Sequence, residues 1–255
     1  MSPLKIAYCD LRHRTLGLHS QLMPLQLGLL AAYAEREIDR EIETRFFIDT
    51  NEYLEAMREW KPDVMAATLF CWNHSLTLFA ARKTREALGD DVTVLFGGPD
   101  IEKNPKEQKE FLQTHPYVDI GVLGEGEKPF VDILSYVADG RDPRDAEEIK
   151  GAFFLQNDGE TFVENPPVDK FTTLDEIPSP YLSGMFDEFF EQQFDEFKTR
   201  FGKRYASAEE EARRLGNFRA FVARSAGAAV NGIMGTLGHR TNRYHDSDHD
   251  GSDSE

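Results

Sequence analysis

The chain has 255 residues and a formal net charge of -17, with 29 Lys and Arg against 46 Asp and Glu. That balance argues against nucleic acid as a main partner, because phosphate contact needs a basic face, and against an anionic membrane surface. The two cysteines, Cys9 and Cys71, are too few for a disulfide framework or a four-thiolate metal site.

The length suffices for a real core in one or two domains. No stretch is long enough to span a bilayer, and the N-terminus lacks the basic-then-apolar layout of a signal peptide. Both thiols fall near predicted strand ends and are expected to be buried and reduced, which points to a cytoplasmic protein.

In chain order, residues 4–9 predict a first strand. Residues 10–23 make a long polar loop holding Arg12, His13, Arg14 and His19, expected to border the ligand crevice. Pro24 suits a first helical turn, and Leu25, Leu29, Ala32 and Tyr33 then repeat at helical spacing. Residues 41–48 alternate like a strand, and Asn51 is placed to cap a short helix ending near Trp60. Three short apolar runs follow, at 64–70, 92–96 and 118–123, too short for ordinary helices and rich in β-branched or aromatic residues. Helix-like segments near 75–88 and 105–113 separate them. This alternation predicts a flavodoxin-like or Rossmann-like, doubly wound α/β domain over residues 1–150. Its five parallel strands take the order 2-1-3-4-5.

A helix at 129–138 comes next. Apolar runs at 152–155 and 161–163 flank Asn157-Asp158-Gly159, a strong hairpin signal. Residues 151–186 are therefore expected to form an antiparallel β-hairpin appendage and a Pro-rich connector. Residues 187–240 have a helical pattern. Within it Ser207 and Glu210 fit a capping box, and Glu210 and Arg214 fit a pair on one helix face. Residues 241–255 hold almost no apolar side chain and are expected to be a disordered acidic tail. Asp246, Asp248, Asp250 and Gly251 imitate the start of a calcium loop. The glutamate at its twelfth position and the helix after it are absent, so calcium binding is not expected.

The least ordinary residues lie where three successive strands end: Cys71-Trp72-Asn73-His74-Ser75, Gly97-Gly98-Pro99-Asp100 and Gly124-Glu125-Gly126-Glu127. In open α/β sheets these carboxyl ends form the ligand crevice, and glycines let a backbone approach the ligand closely. Glu125 and Glu127, two apart on one loop, do not define a water or substrate position for acid–base work. Gly124-x-Gly126 lacks the third glycine of a dinucleotide fingerprint and follows the fifth strand, not the first. No Ser-His-Asp order is present.

These three loops, together with residues 24–33 (Pro-Leu-Gln-Leu-Gly-Leu-Leu-Ala-Ala-Tyr) and 174–181 (Leu-Asp-Glu-Ile-Pro-Ser-Pro-Tyr), carry a resemblance in order. Residues 1–186 resemble the cobalamin-binding domain that precedes the catalytic barrel of cobalamin-dependent radical SAM enzymes. The resemblance implies cobalamin as cofactor. It implies binding residues Trp72, Asn73, His74, Gly97, Gly98, Pro99, Gly124, Glu125, Gly126 and Glu127. The nucleotide tail would pack near Gly97 and Gly98, so that Gly98→Leu would block its path. Trp72 and Asn73 would supply an apolar wall and a hydrogen bond. Beside these readings stand plainer ones, a core aromatic for Trp72 and a tight turn for Gly97-Gly98-Pro99. Asp10, His13 and Gly17 have the residue types of the cobalt-ligating Asp-x-His-x-x-Gly pattern at the wrong spacing, so base-off cobalamin without a protein histidine is expected. The barrel's iron–sulfur cluster needs three closely spaced cysteines. None follows Cys71, so no cluster, no other metal site and no catalysis by the chain alone are expected.

Phe194, Phe197, Tyr205, Glu210, Arg214 and Phe218 resemble the pattern of the cathepsin propeptide inhibitor domain, over residues 187–225. Phe221 and Ser225 depart from it, and an ordinary amphipathic helical hairpin has the same spacing. Two function classes stand. One is a cobalamin-binding module. The other is a protein–protein module that binds a papain-like cysteine protease or another enzyme. A third reading joins them, with the helices as a leader and the tail as peptide substrate of a separate radical SAM enzyme.

Overall fold

A computed structural model of the protein describes residues 2–13 and 24–221. Arg14, Gly17, His19, Ser225 and the 241–255 tail lie outside the described residues. The chain divides into two compact units, Met1–Met185 and Phe186–Glu255. No helix among the described residues is long and apolar enough to cross a membrane.

In the first unit β1 (Leu4–Cys9), β2 (Ile42–Phe47), β3 (Val64–Thr68), β4 (Thr93–Gly97) and β5 (Ile120–Val122) run parallel in the order β2-β1-β3-β4-β5. The crossovers are α1 (Leu25–Glu37), α2 (Thr50–Trp60), α3 (His74–Leu88) and α4 (Pro105–Thr114), and α5 (Glu127–Ala138) follows β5. The hairpin of β6 (Ala152–Leu155) and β7 (Phe162–Glu164) is not separate from the sheet. β6 pairs antiparallel with β5, Gly121 opposite Phe153, so the hairpin extends the same sheet to seven strands among the described residues.

Both faces of the sheet are covered, which is why its central strands are apolar runs and not alternating ones. On one face Met65, Ala67, Val94 and Phe96 pack with Tyr53 and Met57 of α2, Leu78 of α3 and Leu112 of α4. On the other, Val64, Ala66, Leu95 and Ile120 pack with Leu27 and Ala31 of α1 and Phe130 and Ile133 of α5. Each fully buried Val, Leu, Ile, Phe or Met among them contributes about 1.5–3 kcal/mol.

Several local expectations are corrected. Asn51 does not cap α2. Asp49 is the last extended residue, and its Oδ1 accepts the Glu52 N–H at 2.9 Å. Cys9 is buried in β1, where burial pushes its thiol pKa up, but Cys71 is exposed, because the chain leaves the sheet after Thr68. Gly97 belongs to β4, and Glu127 belongs to the first turn of α5.

Asp119, just before β5, ties three elements together. Its Oδ2 accepts the Val94 N–H at 2.7 Å and Arg85 Nη2 at 2.5 Å, while Arg144 Nη1 lies 3.4 Å from Oδ1. Burial outweighs these partners and raises the carboxyl pKa, so the charge is held at a cost that its bonds offset only in part. Asp119→Ala removes the carboxylate that the Val94 N–H and Arg85 Nη2 share, while Arg85 keeps the Gly89 carbonyl and Arg144 keeps Asp142, for an expected loss of about 2 kcal/mol. A urea melt checks this; a change under about 0.5 kcal/mol, the range of ordinary surface substitutions, would contradict it.

The second unit contains α6 (Asp187–Arg200) and α7, residues 208–221. Their aromatic side chains meet each other and the turn between them: Phe194 stacks on Tyr205 of the turn at 5.9 Å and approaches Phe218 at 5.5 Å, and Phe197 approaches Phe218 at 5.7 Å. The Glu210 N–H donates to Ser207 Oγ at 3.2 Å, as a capping box requires. The Glu210 carboxylate reaches back to the Ala206 N–H, one residue before the cap. Arg214 lies 3.5 Å from Glu210.

Candidate functional site

The carboxyl ends of β3, β4 and β5 and the starts of α1 and α5 enclose a cavity of about 510 Å³. Its floor is apolar: Ala66, Leu95 and Val122 from the sheet, Leu27 and Leu30 from α1, and Phe130 from α5. Gly97, Gly98, Pro99, Gly124, Glu125, Gly126 and Glu127 all line it. The crevice outside the carboxyl ends of the strands is where an open parallel sheet binds ligands. A larger hollow of about 650 Å³ lies in the second unit, but Lys198 there is already paired, with Asp195 at 2.8 Å and with Glu211.

Trp72, Asn73 and His74 do not line the cavity. Asn73 is fully buried and holds its own loop: Oδ1 accepts the Phe70 N–H at 2.8 Å and Nδ2 donates to the Thr68 carbonyl at 3.3 Å. Asn73→Ala leaves both groups without a partner, for an expected loss of about 2–3 kcal/mol and a melting temperature lower by about 4–12 °C. A thermal melt unchanged from wild type would show that the loop needs no such clamp. Trp72 is not a core aromatic. It is 61% exposed and stacks on Phe70 with ring centroids 4.4 Å apart, making a flat apolar shelf at the end of β3. His74 begins α3, with Asn73 in the capping position, and its Nδ1 bonds Asp100 Oδ2 at 2.6 Å. That pair joins the β3–α3 loop to the β4–α4 loop.

The two glycines after β4 differ in what they do. Gly98 has φ +113, and a Cβ there would lie 2.6 Å from the Leu69 carbonyl oxygen. The crossing of these two loops therefore requires glycine whatever the cavity holds, so Gly98→Leu would strain the backbone as well as obstruct any path for the tail. Gly97 has no such constraint. The nearest atom to its Cβ would be the Val122 carbonyl oxygen at 3.9 Å, an ordinary contact.

Part of the cavity's polar wall lies outside the motifs. Gln26, Thr68 and Lys103 line it as well. Gln26 falls within the 24–33 motif; nothing in the sequence marks Lys103. Thr68 Oγ1 donates to Asp10 Oδ1 at 3.4 Å, and Asp10 is paired with Arg12. Glu125 is engaged outward, its Oε2 accepting the Phe171 N–H at 3.0 Å. Phe171 lies edge-on to Tyr33 at 5.3 Å, and Lys128 covers its ring at 4.4 Å and donates to the Asp169 carbonyl. The connector thus clips α1 to the start of α5. Burial raises the Glu127 carboxyl pKa and the nearby Glu125 adds to this, while the N–H groups of residues 127 and 126 draw it back.

No family model matches the chain. It is 31% identical over 171 residues to the cobalamin-dependent radical SAM methyltransferase TokK of Streptomyces tokunonensis, covering 65% of this chain and 24% of the relative. It is 32% identical over 171 residues to the 2-(S-pantetheinyl)-carbapenam-3-carboxylate methyltransferase of Streptantibioticus cattleyicolor, with the same coverage, and 26% identical over 160 residues to an uncharacterised methyltransferase of Pyrococcus horikoshii, covering 62% of this chain and 33% of the relative. The chain therefore spans about a quarter to a third of the length of these relatives. The solved cobalamin-dependent S-adenosylmethionine radical enzyme OxsB shares the fold, with TM-score 0.52 and 15% identity over 72% of this chain and 25% of the enzyme. All three sequence relatives are named as methyltransferases, and one of them, like the solved radical enzyme that shares the fold, is named as cobalamin-dependent.

Proposed function

We propose that the first unit is a cobalamin-binding module. The observation that carries this reading is the apolar cavity rimmed by Gly97, Gly124 and Gly126 at adjacent parallel strand ends. Its residues suit the cofactor's nucleotide tail: an apolar floor for a neutral heterocycle, and glycines that admit close approach. The exposed Trp72 shelf on Phe70 offers a flat apolar surface for the corrin. The similarity to cobalamin-dependent enzymes supports the same assignment. When bound, cobalamin supplies a cobalt centre able to carry a methyl group.

The form expected is base-off with no protein imidazole on cobalt. No histidine lines the cavity among the described residues, and His74 is already held by Asp100. Electron paramagnetic resonance of the bound cob(II)alamin tests this. The expected spectrum lacks nitrogen superhyperfine splitting, and a clear triplet from an axial nitrogen would contradict it. Without three cysteines for a cluster, the chain alone is expected to leave S-adenosylmethionine uncleaved.

A second reading concerns residues 187–240. The Phe194, Phe197, Tyr205 and Phe218 cluster favours a helical recognition segment, as in a propeptide inhibitor or a leader read by a separate radical SAM enzyme. Added to a papain-like protease, the fragment 187–240 is expected to inhibit weakly or not at all, since Phe221 and Ser225 break the pattern. Nanomolar inhibition would make protease binding the leading function of this unit.

A further inference from the structure

We infer that Lys103 and Glu127 anchor the nucleotide tail of the corrinoid, Lys103 at the phosphodiester and Glu127 at a ribose hydroxyl. The inference rests on the cobalamin reading of the cavity and deepens it. A space of about 510 Å³ admits one drug-sized group. A whole corrinoid is much larger, so only the tail enters and its polar atoms must find partners on the cavity wall.

The wall offers few among the described residues. Thr68 is bonded to Asp10 and Glu125 to the Phe171 N–H, which leaves the neutral amide of Gln26 and the two ionisable groups, Lys103 and Glu127. Lys103 forms no hydrogen bond or salt bridge with another side chain among the described residues, and it is exposed. Glu127 is half-buried and, among the described residues, is met by the N–H groups at the start of its own helix with no cation lowering its pKa. An ammonium and a carboxyl group thus line one apolar cavity without pairing to each other or to a neighbour.

Their placement matches the tail's chemistry. A phosphodiester is an anion and keeps most of its hydration at the cavity mouth, where an exposed ammonium meets it with a charge-assisted bond. A ribose hydroxyl both donates and accepts, so it satisfies a carboxyl group in either protonation state. Burial already disfavours the charged form of Glu127. A hydroxyl partner is therefore better suited to it than a second anion.

The test compares hydroxocobalamin with cobinamide, which keeps the corrin but lacks phosphate, ribose and base. Equilibrium dialysis is run on the full chain and on Lys103→Ala and Glu127→Ala, with a melting curve for each. Wild type is expected to bind cobalamin at least about tenfold tighter than cobinamide. Each variant is expected to lose about tenfold or more for cobalamin, as loss of a bond to a charged group implies, and to keep its cobinamide affinity. Cobinamide binding is the internal control for folding. If wild type binds the two corrinoids equally, or if the variants lose affinity for both alike, the anchoring inference is overturned while the module reading stands. If wild type binds neither, the module reading fails and takes this inference with it.

Discussion

Gly98→Leu is expected to disrupt the fold of the first unit, not merely its ligand binding. With φ at +113 and a Cβ position 2.6 Å from the Leu69 carbonyl oxygen and 3.0 Å from the Leu69 nitrogen, any side chain collides with backbone, which cannot swing aside. The Leu69 N–H donates to the Gly97 carbonyl at 2.7 Å and the Leu69 carbonyl accepts the Asp100 N–H at 3.2 Å, so relief of the clash breaks bonds that close the crevice. Unfavourable φ and overpacking together cost about 4 kcal/mol or more. That corresponds to a melting temperature lower by about 8–16 °C for a unit of this size. Circular dichroism melts measure it. A Gly98→Leu protein melting within about 2 °C of wild type would show that the two loops do not cross as described.

Gly97→Leu is the complementary case, with its large effect on binding. Gly97 ends β4 with ordinary backbone angles, and its Cβ would find no atom nearer than 3.9 Å. A Cβ there needs no backbone adjustment, and the rest of a leucine adds its bulk at the cavity wall. The melting temperature is expected to stay within about 4 °C of wild type. The affinity for cobalamin is expected to fall by about 100-fold, the equivalent of nearly 3 kcal/mol of lost contact. Equal binding by a folded Gly97→Leu protein would place the corrinoid somewhere other than this cavity.

The contrast between these neighbours shows where sequence reading stops. The sheet order was legible because runs such as 64–70 and 92–96 could be nothing but strands buried on both faces. The crevice was legible because glycine loops followed three of those strands in turn. Which glycine serves the ligand and which serves the backbone was not, since that depends on Leu69 lying against Gly98, a contact that no spacing rule encodes. Asn73 looked like a ligand group because it follows Trp72 in a motif, yet its amide is consumed by Phe70 and Thr68 in its own loop. Lys103 escaped notice for the opposite reason. It lies in a plain polar loop, and only folding brings it to the cavity. The Asp158-Gly159 turn was clear, but its strand's pairing with β5 depended on partner choice across the sheet edge.

Cobalamin binding by the crevice is tested by mixing the purified wild-type chain with hydroxocobalamin in the dark, passing it over a desalting column and recording the visible spectrum of the protein fraction. The account predicts that corrinoid absorbance co-elutes in proportion to protein, with the bands of the base-off form. A protein fraction that carries no corrinoid after loading at high cofactor concentration, while its circular dichroism shows the folded α/β unit, would contradict the cobalamin assignment of the crevice.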